Sequence, residues 1–315
     1  MTTAMSPKAS EVTPITRLLQ RFEQRRTLAR VLVMPTVLVL LVVAVIPTLY
    51  VFVLAFSQYK LGAPLWSLTF VGFQNFITAF SDRRFWHGLG ITCMFAIPDV
   101  AIQLVLGLGI ALALQRVGAL TRRIAITVSL VPMMLVPAVV GLLWQLLFHE
   151  TYGPINHVLA VLGVPPVSWL SDATAMTLGL VVADVWEWTP FAAILLLAGL
   201  QSMSQEVLEA AYVDGAGAWQ AFRHIIVPLL RPFIFLAVFL RMVDAWKAFD
   251  LVATLPPRGA VSDLTESLGY YTWKVAFGIS ADRGLGAAMS LFQLIIIIIL
   301  GKVLVSQLSR VARGD

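Results

Sequence analysis

Apolar residues along the chain gather in long continuous runs separated by short polar stretches, a different pattern from the alternating or amphipathic faces of a soluble domain. Six runs reach spanning length: Val31 to Phe56, Leu89 to Gln115, Ile124 to Phe148, Met176 to Leu200, Leu229 to Leu251 and Leu285 to Leu308. About 20 apolar residues in a helix cross the roughly 30 Å of a bilayer's hydrocarbon. Backbone N–H and C=O groups find no water there and must pair within the segment, so each run is predicted to be helical. Prolines recur inside the runs, at Pro35 and Pro47, Pro98, Pro132 and Pro137, Pro190 and Pro232. Each removes a helical hydrogen bond and predicts a kink, and a kinked bundle has room for a cavity.

Composition agrees with that pattern. Of 315 residues, 59% are hydrophobic and 12% charged, and the mean hydropathy is +0.87, values of an all-α integral membrane protein. The first run begins after some 30 polar and basic residues, which is too late for a cleaved secretory signal and reads as a retained first span. The lone cysteine, Cys93, lies inside an apolar run and allows no disulfide within the chain.

The net charge of +5 reads as a membrane orientation signal, with no nucleic-acid partner implied. With the N-terminus inside, fourteen Lys and Arg fall on the cytoplasmic side: Lys8, Arg17, Arg21, Arg25, Arg26, Arg30, Arg116, Arg122, Arg123, Arg223, Arg231, Lys302, Arg310 and Arg313. Six fall outside (Lys60, Arg83, Arg84, Arg258, Lys274 and Arg283), and Arg241 and Lys247 lie within the fifth span. Both termini are thus expected in the cytoplasm. Residues 1–30 form an N-terminal segment, 31–308 a single six-helix domain and 309–315 a tail. The longer outer connections carry Tyr59, Trp66, Trp169, Tyr270, Tyr271 and Trp273, which suit an aromatic belt at the membrane surface or a docking surface for an external protein.

Several chemistries are missing. There is no GxxxxGK[ST] phosphate loop, since Ile296 stands where the first glycine would precede Gly301 and Lys302. His87, His149, His157 and His224 are scattered without metal-ligand spacing, and no serine, histidine and acid constellation surrounds "GLQSMS". No cofactor is expected in this chain, and a membrane-bound enzyme is disfavoured.

The connection between the fourth and fifth spans, residues 201–228, is unlike the others. In "VLEAAYVDGAGAWQAFRHIIVPLLRP", Ser204 is a candidate N-cap, Val207, Leu208 and Ala211 recur at helical intervals, and Asp214-Gly215 marks a break. Trp219, Phe222, Ile225 and Ile226 then recur at spacings of three and four until Pro228 closes the segment. The prediction is a short helix, a turn and a second short helix on the cytoplasmic side.

Glu209, Ala210 and Ala211, followed by Gly215, Ile225 and Pro228, resemble the EAA loop of binding-protein-dependent ABC importer permeases, in particular the carbohydrate-uptake branch. "RMVDAWKAFDLVATL" and "GLGAAMSLFQLIIIIIL" extend the resemblance more weakly, and "LPPRGA" departs from the Gly-Gly-Pro-rich turn frequent in the family. The resemblance implies a type I importer transmembrane domain in a prokaryotic cytoplasmic membrane. It would pair with a second, homologous permease and two ATP-binding subunits that hold ATP and Mg, and be fed by an extracytoplasmic solute-binding protein. It further implies that the loop seats in the ATPase: Glu209 accepting a hydrogen bond from a partner arginine, Ala210 and Ala211 permitting close approach, Asp214 and Gly215 forming the bend.

Charged residues interrupt two spans. The fourth contains Asp184, Trp186, Glu187 and Trp188, and the fifth contains Arg241, Asp244, Trp246, Lys247, Phe249 and Asp250. Each charge costs at least ~2.5–3.5 kcal/mol near the centre of a lipid-facing helix, so these side chains are expected to face protein or water. Counting at 1.5 Å per residue places Glu187 and Asp244 both about 20 Å from the cytoplasmic helix ends, at one level. The three-residue spacing of Arg241, Asp244, Lys247 and Asp250 allows neighbouring charges to neutralise one another. Two readings stay open, a structural lock and a solute path in which Trp186, Trp188, Trp246 and Phe249 offer aromatic faces. Asp99 and Gln103 of the second span are weaker candidates. The competing functional class is an ion-coupled transporter or channel using the intramembrane carboxylates.

Overall fold

The computed structural model describes residues 25–59, 64, 67–256, 265–278 and 281–313. Lys8, Arg17, Arg21, Lys60 and Arg258 of the orientation pattern, Trp66 of the aromatic set and the end of "LPPRGA" lie outside the described residues.

Residues up to Leu54 form one unit and Ala55 onward a second. The first contains α1 (Arg25–Leu40), a π-helical turn (Leu41–Val45) and α2 (Ile46–Ala55). The π-helical turn has a local cause. Pro47 has no N–H and crowds the carbonyl four residues back. Just before it the ladder widens, so that the Ile46 N–H reaches the Leu41 carbonyl, one residue further than in an α-helix.

The second unit opens with a two-stranded antiparallel ribbon, β1 (Ser57–Gln58) and β2 (Thr69–Phe70), with Ser57 opposite Phe70. Helices α3 (Gln74–Ser81), α4 (Arg83–Arg116), α5 (Ala119–Met133), α6 (Pro137–Leu147), α7 (Pro154–Val161) and α8 (Ala173–Gln201) follow. Asp82 starts α4 by accepting the Arg84 N–H at 2.9 Å, and Asp172 starts α8 by accepting the Ala175 N–H at 2.8 Å, each satisfying an orphan donor of the first turn. At the far end of α4 the Arg122 guanidinium donates to the carbonyls of Leu114, Gln115 and Val117, covering acceptors that the helix end leaves unpaired.

Among the described residues five helices are long and apolar enough to cross a membrane; α5 and α6 make a sixth crossing when the pair is counted as one. The third run was expected as one kinked helix, and instead it breaks into α5 and α6 at 91°. Pro137 explains the break. It disfavours helical backbone at the preceding residue, and Val136 is extended at φ −76°, ψ 135°, so α6 restarts with Pro137 in its first turn. Pro98, Pro190 and Pro232 remain inside continuous helices.

Beyond the loop, α9 (Gln205–Val213) and α10 (Ala218–Ala221) lead through a π-helical turn (Phe222–Ile226) into α11 (Val227–Trp246), and α12 (Asp250–Thr254), α13 (Leu268–Phe277) and α14 (Arg283–Arg313) complete the chain. The long helices α4 and α8 pack along one another, α11 lies against both, and α14 lies against α11. Gly107 makes the first pairing possible, because a Cβ there would stand 2.7 Å from the Ala192 Cβ and 2.9 Å from the Ala193 nitrogen. Small residues at such contacts let helix backbones approach, as is usual in membrane bundles.

At the end of the unit opposite the loop, α13 is tied down by polar contacts. Ser267 caps it by accepting the Tyr270 N–H, the Leu268 N–H donates to Thr92 Oγ1 at 2.9 Å, and Gln293 donates to Thr272 at 2.8 Å. Glu266 pairs with Arg84 at 2.8 Å and Lys274 at 3.2 Å, and the Tyr271 hydroxyl donates to Asp82. Burial, and then that hydrogen bond, push the Tyr271 phenol above its ordinary range.

Gly107→Leu should separate α4 from α8, lowering stability by about 1–3 kcal/mol or more. A reduced thermal midpoint of the purified protein in detergent is the expected result, with Gly90→Ala, where a Cβ meets nothing within 4 Å, as the neutral comparison.

Candidate functional site

One guanidinium organises the polar residues of the spans. Arg241 on α11 is 1% exposed. Its Nε donates to Gln103 Oε1 of α4 at 2.7 Å, its Nη2 to Asp184 Oδ2 of α8 at 2.6 Å, and its Nη1 to Asp244 Oδ2, one turn on, at 2.6 Å. Asp99 Oδ2 stands 3.6 Å from Nη2. The Gln103 amide links the acids, donating to Asp99 Oδ2 at 2.8 Å and Asp184 Oδ2 at 2.9 Å. The face of Trp188 covers the guanidinium carbon at 4.5 Å, a cation–π contact of the kind strengthened by desolvation.

This polar layer lies between two apolar clusters. On one side are Ala96, Val100, Leu180, Ala183 and Ala245, and on the other, toward the loop, Ala111, Leu196, Leu200 and Leu230. Arg241, Gln103, Asp99 and Asp184 are buried there, so a charge-assisted hydrogen bond among them contributes about 1.5–3 kcal/mol, offsetting the several kcal/mol per ion that burial costs; the bond to Asp244, whose side chain is 52% exposed, contributes less. Acceptors outnumber donors. Four carboxyl groups, Asp99, Asp184, Glu187 and Asp244, share a single arginine. Glu187 is fully buried, and both its oxygens and Asp99 Oδ1 have no hydrogen-bond partner among the described residues.

Beside the layer is a cavity of about 160 Å³ lined by Pro137, Asp184, Trp188, Asp244, Lys247, Ala248, Phe249, Asp250 and Leu251. Six of the nine pathway residues expected from the sequence therefore meet: Asp184, Trp188, Asp244, Lys247, Phe249 and Asp250. Three do not line it. Trp186 points elsewhere, packing edge-on against Trp144 with centroids 5.8 Å apart. Glu187 is sealed in the protein, and Trp246 is buried with its indole N–H unpaired among the described residues.

The charge ladder of the fifth span is corrected as well. Only its first rung, Arg241 to Asp244, forms. The helix stops at Trp246, Lys247 leaves the helical path at φ −90°, ψ 3°, and Asp250 opens α12, so the three-residue spacing no longer stacks these side chains. Lys247 has no ion-pair partner among the described residues. Asp99 and Gln103, the weaker candidates, are central, and Arg241, read only as a ladder member, is the hub. Their signal in the sequence is a polar pair four residues apart in the otherwise apolar α4, at a depth comparable to Asp184 and Arg241.

The loop forms a second locus. Helix α9 ends in a Schellman turn: Gly215 has φ +83°, its N–H reaches the Tyr212 carbonyl, and the Ala216 N–H returns to the Ala211 carbonyl at 2.9 Å. A residue with a Cβ would be strained in that left-handed conformation. Glu209, Ala210 and Asp214 are exposed, whereas Ala211 is turned into the chain. Ser204 occupies the N-cap position without a side-chain capping bond. Pro228 does not close the segment. The π-helical turn, with the Val227 N–H bonded to the Phe222 carbonyl, accommodates the proline, and Ile225 sits half-buried within that turn. From Ala218 to Trp246 the chain is one helical rod.

Residues 103–313 match the model of the family described as binding-protein-dependent transport system inner membrane component. The chain belongs to this family. Among permease subunits, it is 32% identical over 276 residues to the trehalose/maltose transport system permease protein MalF of Thermococcus litoralis, covering 86% of this chain and 90% of that one. It is also 32% identical over 271 residues to the trehalose transport system permease protein SugA of Mycobacterium tuberculosis, covering 86% and 84%. A crystal structure of a bacterial ABC transporter importing the acidic polysaccharide alginate aligns with a TM-score of 0.78 at 19% identity over 93% of this chain and 99% of that one, which gives the fold as a type I importer transmembrane domain. This permease subunit is accordingly a multi-pass membrane component of an ATP-driven importer and not an enzyme, and the ion-coupled alternative falls away.

Within the permease, Arg241→Ala would leave buried carboxyls unpaired and is expected to destabilise by about 3–5 kcal/mol. Asp244→Asn, at a half-exposed partner, is expected to change stability by about 1 kcal/mol or less. Thermal unfolding of the two variants in detergent checks the ordering.

Proposed function

We propose that this chain moves a sugar or related solute across a prokaryotic cytoplasmic membrane by alternating access, driven through its 201–228 loop. The observation that carries the proposal is mechanical. The rod that begins at Ala218 beside the Schellman turn is the same rod that carries Arg241, roughly 35 Å away at 1.5 Å per residue. The helical path from the loop to the polar layer and the cavity is unbroken, so a displacement imposed on the loop is carried along it.

In this reading the chain works with a second, homologous permease, two ATP-binding subunits and an extracytoplasmic solute-binding protein, with both termini cytoplasmic. ATP and Mg belong to the ATP-binding subunits, in keeping with the lack of a phosphate loop here. Exposed Glu209 accepts a charge-assisted hydrogen bond from the ATPase. Ala210 gives close approach, Asp214 and Gly215 set the turn, Ala211 holds that turn through its carbonyl, and Ile225 and Pro228 join the loop to the rod. ATP-driven movement biases the chain between two states by binding one better than the other.

The cavity's chemistry favours a polyhydroxylated solute. Asp184, Asp244 and Asp250 offer acceptors to hydroxyl donors, Lys247 offers a donor, and Trp188 and Phe249 offer aromatic faces, a lining typical of ligand sites with few, placed polar groups. The relatives named for trehalose/maltose and trehalose transport support the same class.

Glu209→Ala and Gly215→Pro are expected to lower ATP-dependent uptake by about tenfold or more, the effect of losing roughly 1.4 kcal/mol of coupling. Copurification of the ATP-binding subunits should weaken while membrane insertion stays normal. Normal uptake with normal copurification would remove the loop from the mechanism.

A further inference from the structure

We infer that Tyr270 and Trp273 on α13 form a stacking platform that receives a sugar ring of the solute at the mouth of the Asp184–Phe249 cavity. The inference rests on the carbohydrate reading above and adds binding residues to it.

Phe249 belongs to both surfaces. It lines the cavity, and its ring lies 5.9 Å from Tyr270 and 5.6 Å from Trp273, with Tyr270 and Trp273 5.8 Å apart. Three rings in mutual contact thus lead from the cavity wall onto α13, at the end of the unit opposite the loop. Trp273 is 44% exposed, while Tyr271 and Thr272 between the two rings are buried. The i and i+3 positions put Tyr270 and Trp273 on one face of the helix.

Size supplies the next step. A cavity of about 160 Å³ is well below the roughly 300–1,000 Å³ that buries a whole small-molecule ligand. A solute with one ring among Asp184, Asp244 and Asp250 must rest the remainder on an adjoining surface, and the aromatic triad adjoins. The apolar C–H face of a pyranose matches an aromatic face, whose negative quadrupole attracts the slightly positive hydrogens. The platform is also held still: Ser267, Thr92, Gln293, Asp82 and Glu266 fix α13 by hydrogen bonds and ion pairs, so little ordering is left for binding to supply.

The test uses the complete importer in proteoliposomes with saturating loaded binding protein, and radiolabelled maltose, trehalose, glucose and sorbitol as probes. Combined Tyr270→Ala and Trp273→Ala should lower uptake of the transported sugars about fivefold to tenfold, the scale of one or two aromatic contacts. ATPase stimulation by the binding protein should stay near the wild-type value. Tyr270→Phe with Trp273→Phe, which keep the π faces, should restore uptake. If the alanine pair fails to assemble, Tyr270→Leu with Trp273→Leu keeps apolar volume without π faces, and its loss of uptake supports the platform. Wild-type uptake by the alanine or leucine pair overturns the inference, as does a phenylalanine pair as impaired as the alanine pair. A parallel fall of uptake and ATPase also overturns it, assigning the rings to packing or to the lipid surface. If the wild-type complex takes up none of the four probes, the carbohydrate reading fails and this inference with it.

Discussion

A guanidinium buried between three membrane helices is the constraint on which the rest of this permease depends. Arg241 cannot remain charged in an apolar interior without partners, and its partners come from separate helices: Gln103 from α4, Asp184 from α8 and Asp244 from its own α11. Satisfying it fixes the rotation of all three helices about their axes, because each acceptor must point into one small volume. The close approach of α4 and α8 at Gly107 fixes their separation. Hydrophobic burial cannot supply such register inside a membrane, where lipid tails are as apolar as the side chains they replace.

The layer is overfilled with acceptors. Four carboxyl groups surround one arginine, and three of their oxygens have no hydrogen-bond partner among the described residues. The wall open to the cavity, separately, carries three carboxyl groups, Asp184, Asp244 and Asp250, against one ammonium, Lys247. Trp188 serves both sides of this arrangement, covering Arg241 with its face and lining the cavity. The polar layer and the cavity wall share side chains, so rearranging one alters the other.

The ends of the second unit have different mechanical characters. At one end, the turn at Gly215 presents a short exposed helix, and the rod from Ala218 leads from it to Arg241. At the other, α13 is pinned by a dense set of polar bonds, and α12 is a single short turn after the break at Lys247. A continuous helical path leads from the loop to the polar layer, and that path breaks at Lys247 beside the cavity.

Much of this was legible in the residues. Six long apolar runs determine membrane spans, because no other backbone structure but a helix or a closed barrel satisfies itself in hydrocarbon. Asp214-Gly215 determined the turn, since the left-handed conformation at Gly215 excludes most side chains. The Glu-Ala-Ala and glycine spacing determined the family. Which charges meet was left to the tertiary structure. Three-residue spacing paired Arg241 with Asp244, yet the helix end at Trp246 dissolved the rest of the ladder, and the decisive partners of Arg241 lie 138 and 57 residues away at Gln103 and Asp184. The same holds for the prolines: Pro47 and Pro228 were absorbed by π-helical turns, Pro98 by an unbroken helix, and Pro137 broke its span at 91°. A residue's own chemistry sets what it needs, but packing against other helices sets where that need is met, and sequence spacing measures distance only along one helix.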